Sequence, residues 1–170
     1  MHDIKINSTT GSEIITTANV KDFARISTSA DDTIIANMIK TARIWCENYI
    51  SRDIVAKNRT FYQKYVDDRF ILPFSPIASI SSLTVDGDAA TYDTYGLDDM
   101  IVELDNLPAK EVKITYVTSG LSDDVVKQAI LQLTSTYYDN RTDFVLKNEY
   151  VSEMPTQTRN LLSSLKTMYI

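Results

Sequence analysis

Between Asp31 and Ile50 the apolar residues Ile34, Ile35, Met38, Ile39, Ala42, Trp45, Cys46, Tyr49 and Ile50 recur at steps of one, three and four, and only an α-helix turns that spacing into one continuous face. Ser29 or Ala30 opens this helix, and Asp31 and Asp32 complement the positive end of its dipole. Over residues 31–50 it is ~30 Å long at ~1.5 Å per residue, enough to cross most of a small domain. The rest of the chain has to supply a cover for that stripe.

Residues 57–118 change period. The runs RTFYQKYV, RFILP, IASISSLTV, ATYDTYG, MIVEL and EVKITYVT are separated by Asp-Asp, Asp-Gly and Asn-Leu-Pro-Ala turns, which predicts an antiparallel β-meander. Proline has no amide hydrogen to give to a ladder, so Pro73 and Pro76 mark the mouth of a strand over IASISSLTV. On a period of two, Ile77, Ser79, Ser81, Leu83 and Val85 share one face and Ala78, Ile80, Ser82 and Thr84 the other, so both faces of that strand are expected to be partly apolar.

Helices flank this region. Thr17–Ile26 places Val20, Phe23, Ala24 and Ile26 on one side of a short helix capped by Thr17. Ser122 caps a second long helix over 122–139, whose stripe is Val125, Val126, Ala129, Ile130, Leu133 and Tyr137. Residues 142–154 form a polar linker, and Pro155 opens a last helix carrying Leu161, Leu162, Leu165, Met168 and Tyr169 and running to Ile170. The expected fold class is α+β: a helical bundle layer of two long helices, one short helix and a C-terminal helix, with a small antiparallel β-sheet subdomain. Residues 1–16 read as an N-terminal arm or edge strand, 17–141 as the main domain, and 142–170 as linker and docking helix.

The chemistry-bearing residues exclude most enzymes. The single histidine is His2, beside the first methionine, so no histidine base or ligand is expected in a folded pocket. The single cysteine, Cys46, lies on the apolar side of the long helix with no basic partner nearby in sequence, where a thiol is an inert small hydrophobe. Of four Asp-Asp pairs, Asp31-Asp32 and Asp123-Asp124 sit at helix starts and Asp67-Asp68 and Asp98-Asp99 in turns. None has calcium-loop spacing, and four glycines leave no phosphate-cradling loop. No catalytic residue, cofactor or metal is expected. A net charge of −6 opposes a surface that grips nucleic acid. No apolar run approaches the ~20 residues of a membrane span, and the amino terminus has no signal-peptide core, so a cytoplasmic site of synthesis is expected. The ten tyrosines suit protein interfaces, where the ring buries and the hydroxyl meets water.

Taken in order, VKDFARIS, then DDTIIANMIKTARIWCENYISRDI, then LPFSPIASISSLTVDG, then EVKITYVTSGLSDDVVKQAILQLTSTYYDNR, the chain resembles the head-tail connector (adaptor, or head-completion) family of tailed bacteriophages over roughly residues 15–141. It departs from the family where Ser51-Arg52 stands in place of a Gly-Arg step. The resemblance implies a structural virion protein that forms a ring below the portal, of twelve subunits to suit a twelvefold portal. Such a ring extends the DNA channel and offers a platform to a neck, stopper or tail protein. Double-stranded DNA would pass through it without specific binding, and no membrane is involved. Its place is the virion neck between capsid and tail, after assembly in the host cytoplasm. A different phage neck or tail-completion protein is the alternative, and a small metal-dependent hydrolase a remoter one. The family's C-terminal segment commonly reaches onto the portal, which points to Leu161, Leu162, Leu165, Met168, Tyr169 and Ile170 as portal-binding residues. The same stripe would serve packing on the chain's own domain. The long linker before it favours a partner.

Overall fold

The computed structural model describes residues 2–97, 100–141 and 156–167, which fall into two compact units, each made of separate stretches of chain. Met1–Ser12 and Ser51–Leu121 belong to a β unit, and Glu13–Ile50 and Ser122–Thr167 to a helical unit.

In the helical unit, α1 (Thr17–Ala24), α2 (Asp32–Ile50), α3 (Asp124–Asp139) and α4 (Thr156–Leu162) follow the period expected of them, with corrections at the ends. Thr16, not Thr17, caps α1: its hydroxyl accepts from the Asn19 amide at 3.2 Å while Asn19 Oδ1 accepts from the Thr16 amide at 2.9 Å. Asp123, not Ser122, caps α3 by accepting from the Val125 amide at 2.7 Å. A carboxylate in that place also meets the positive end of the helix dipole, which a serine does not. The buried stripe is narrower than the apolar pattern. Ile35, Ile39, Ala42, Cys46 and Ile50 of α2 are buried, as are Val20 of α1 and Val126, Ala129, Ile130 and Leu133 of α3, whereas Phe23, Ile34 and Val125 are exposed.

The β unit holds β1 (His2–Thr9), β2 (Lys57–Val66), β3 (Phe70–Ile71), β4 (Ile77–Val85), β5 (Asp88–Ala89), β6 (Tyr92–Tyr95), β7 (Ile101–Leu104) and β8 (Ala109–Thr118). All their pairings are antiparallel, but the order is not that of a meander. One sheet runs β1-β2-β8-β4-β5 and a second β3-β7-β6. The long apolar β8 takes the middle of the larger sheet, where both of its edges are paired. The amino-terminal residues are an edge strand rather than an arm, with Ile4 opposite Phe61. Phe61, Leu83, Val112, Ile114 and Tyr116 of the larger sheet and Val102 and Leu104 of the smaller one meet in one core.

Strand β4 answers the parity question differently from its sequence. Its register against β8 shifts between Ile77 and Ser79 and again between Ile80 and Ser82. A bulge sets two residues against one on the partner, so a three-residue step returns to the same face. Ile77, Ile80 and Leu83, three apart, therefore all pack on the core, while Ala78, Ser79, Ser81 and Ser82 are exposed. The Pro73–Pro76 mouth is anchored from within, since the buried Tyr116 hydroxyl donates to the Pro73 carbonyl at 2.8 Å.

Two positions fix how the chain turns. Ser51, directly after α2, has φ 56°, a left-handed conformation that glycine adopts without penalty. Gly120 has φ +79°, and a Cβ there would lie 2.8 Å from the Ile54 carbonyl oxygen, which accepts from the Leu121 amide at 3.1 Å. Ser51→Gly is thus expected to stabilise the protein by about 0.5–1 kcal/mol and Gly120→Ala to destabilise it by more than that, both read from denaturant midpoints. A Ser51→Gly protein less stable than wild type would contradict the assignment.

Candidate interaction surfaces

Where sequence points to the C-terminal helix, the structure gives a shorter one. After Leu162 the chain tightens into a 3-10 turn over Ser163–Leu165, and the Ser163 hydroxyl donates to the Asn160 carbonyl at 2.8 Å. Leu162 is fully buried in the helical unit, and α4 packs on α3 and α2. Leu161 and Leu165 are half-buried, and Met168, Tyr169 and Ile170 lie outside the described residues. The segment is tied down beyond the helix as well. The Thr167 amide donates to the Ile50 carbonyl at 3.0 Å, and Lys166 Nζ sits 5.3 Å from the centre of the Tyr49 ring, itself stacked on Trp45. Leu162 therefore belongs to its own unit's core.

Of the described residues weighed for chemistry, His2 and Asp68 line one cavity of the β unit. His2 is exposed on the edge strand, and Cys46 is buried, with its thiol pKa pushed up to about 12, chiefly by burial. Among the described residues no group of three or more His, Cys, Asp or Glu side chains could hold a metal. Asp123 is a cap and Asp124 pairs with Lys127. Asp98 and Asp99 lie outside the described residues. That cavity, of about 670 Å³, has apolar walls from Ile4, Phe61, Phe70, Phe74 and Ile101 and a polar side from His2, Gln63, Asp68 and Arg69.

Three charged clusters escape a reading by sequence. In the β unit the fully buried Asp53 carboxylate accepts from Lys57 Nζ at 2.8 Å, Arg59 Nη2 at 2.6 Å, Arg59 Nε at 2.8 Å and the Thr118 hydroxyl at 2.9 Å. The Arg59 guanidinium in turn lies 3.7 Å over the Phe74 ring. In the helical unit the buried Arg43 bridges Glu13 at 2.9 Å and Glu47 at 2.6 Å. The i,i+4 spacing of Arg43 and Glu47 beside the apolar stripe is the signal that could have found them. At the start of α2, Asp31 accepts from the Tyr138 hydroxyl at 2.7 Å and from Arg141 Nη2 at 2.8 Å, which clasps it to the end of α3. Those bonds, the tyrosine's first, hold the Asp31 carboxyl below its ordinary range.

Among the described residues no helix is long and apolar enough to cross a membrane. The buried ion clusters around Asp53 and Arg43 hold the chain's own elements together, which is a structural part. The chain belongs to the head completion protein family, whose model matches residues 13–164. No curated protein matches it. Solved structures share its fold over nearly their whole length. A chain from the neck of an empty gene transfer agent particle with C6 symmetry superimposes with a TM-score of 0.75 at 18% identity, covering 99% of this chain and 97% of that one. A chain from the native gene transfer agent virion gives 0.70 at 19% identity, with 98% and 96% covered. One from the native neck with C12 symmetry gives 0.70 at 18%, with 100% and 97% covered.

Two outcomes test these placements. Leu162→Ala is expected to cost ~2–5 kcal/mol of stability, as for a large-to-small change in a core, and Leu161→Ala much less; equal melting of the two variants would remove Leu162 from the core. The clasp gives a pH dependence. Because the folded Asp31 pKa lies below the unperturbed 3.8, its contribution is complete above that value and lost as pH falls through the lower folded one. The melting gap between wild type and Asp31→Asn at neutral pH should close at pH values below the folded pKa, and a gap unchanged in acid would mean that the clasp adds nothing.

Proposed function

We propose that this protein is the adaptor of a tailed-particle neck: a closed ring of copies seated below the portal, which prolongs the DNA channel and carries the stopper or tail protein beyond it. The observation that carries this reading is the head completion family match over residues 13–164, and the fold shared with gene transfer agent neck chains supports it. A ring of twelve accords with the C12 symmetry of one of those necks. A net charge of −6 suits a channel wall past which a polyanion must slide, because it offers little for phosphates to bind. Within the C-terminal segment, portal contact is assigned to the half-buried Leu161 and Leu165 together with Met168, Tyr169 and Ile170, while Leu162 anchors the segment to its own unit.

Purified chain mixed with portal-bearing and portal-less heads tests the assignment. Retention on portal-bearing heads alone, in about twelve copies per head as the C12 neck suggests, is the expected result. Equal retention on portal-less heads, or none on either, would remove the adaptor role.

A further inference from the structure

The outer face of the β3-β7-β6 sheet combines apolar and acidic side chains in a defined pattern. Ile71, Ile101 and Tyr95 are directly paired across its three strands and so share one face, with Ile71 43% and Tyr95 50% exposed. The next row on that face sets Glu103 opposite Asp93, both exposed. Like charges directly opposite each other in a sheet are destabilising. The Asp93 carboxylate first and the Glu103 carboxylate next also raise the pKa of the Tyr95 hydroxyl, a sign of the negative field over this face. A cation placed there would relieve the repulsion, and an apolar group set about 7 Å from it, two residues along β7, would cover Ile101.

The exposed stripe of α2 has the complementary pattern. Thr33, Asn37, Lys40, Ile44 and Asn48 follow one another at helical spacing and are all exposed. The stripe contains no carboxylate in a chain of net charge −6, and its one charge is Lys40. Ile44 is 42% exposed, and Ile34, beside Thr33 at the other end of the stripe, 41%. Lys40 and Ile44, four residues apart, are separated by about 6 Å along the helix, which matches the spacing of Glu103 and Ile101.

We propose that copies of this chain join head to tail, with the α2 stripe of one copy on the outer face of the three-stranded sheet of the next, Lys40 against Asp93 and Glu103, and Ile44 against Ile101. The two surfaces differ, so the contact is heterologous and generates a ring when its rotation closes. This names the self-contact of the ring proposed above and rests on that reading for its setting.

The test is a charge exchange on portal-bearing heads, with copies per head counted for each variant. Lys40→Glu and Glu103→Lys are each expected to cut the retained copies at least tenfold, and the double variant to recover to within twofold of wild type. Both positions are exposed, so melting temperatures near wild type should accompany the loss, and circular dichroism checks this. In parallel, Ile44→Cys chain is mixed with Ile101→Cys chain and oxidised; the buried Cys46 stays out of the reaction, and a cross-linked dimer of the two chains is expected. Single variants that assemble like wild type, a double variant that fails to recover, or an absent cross-link would each overturn the proposal. Wild-type chain that binds heads as a single copy would instead remove the ring reading itself.

Discussion

The β unit depends on how one buried carboxylate is surrounded. Asp53 is fully out of water, and a carboxylate there is tolerable only because Lys57, Arg59 and Thr118 all donate to it. The donors come from the first three residues of β2 and the last residue of β8, so the pair that forms the middle of the larger sheet is locked in register at that end. Arg59 extends the lock to the loop before β4, since its guanidinium covers the Phe74 ring. Phe74 itself has φ 62°, a left-handed conformation that a non-glycine residue keeps only when its surroundings hold it. Removing Asp53 would take from the buried Lys57 and Arg59 the carboxylate that they share, a larger loss than the pairing contributes when intact.

How much of this was legible in the sequence follows from how local each cause is. The period of α2 and α3 is written in adjacent turns, and both helices lie where that period puts them. Strand β4 defeats a period of two because its bulges are set by pairing with β8, more than thirty residues away in the chain. The order of the strands is likewise a matter of which edges find partners, which no local pattern contains. Buried Arg43, Glu47, Asp53 and Lys57 look like solvated residues by type, and their partners Glu13 and Thr118 carry no local mark. The C-terminal stripe of leucines was visible, but not that Ser163 would end the helix and Leu162 fall into the core.

Family membership and surface chemistry bear on different questions. The family match identifies the class of assembly, and the shared fold extends over almost the whole length of chains that are fewer than one residue in five identical. At such divergence the backbone plan persists while surfaces change. Ser51 adopts the left-handed turn after α2 at a cost in conformational energy.

The interleaving of the two units sets the order in which the chain can fold as it is made. Among the described residues every strand of the β unit lies before Leu121, with β1 first in the chain, so these strands are all present once that residue has left the ribosome. The stripe of α2, synthesised earlier, has to wait through the whole Ser51–Leu121 stretch before α3 arrives to cover it. At ~5–20 residues per second the face of α2 that α3 covers stays open for several seconds in every round of translation. Nascent chains of this protein thus carry their aggregation hazard in α2, and a chaperone that binds apolar helices would act in that interval.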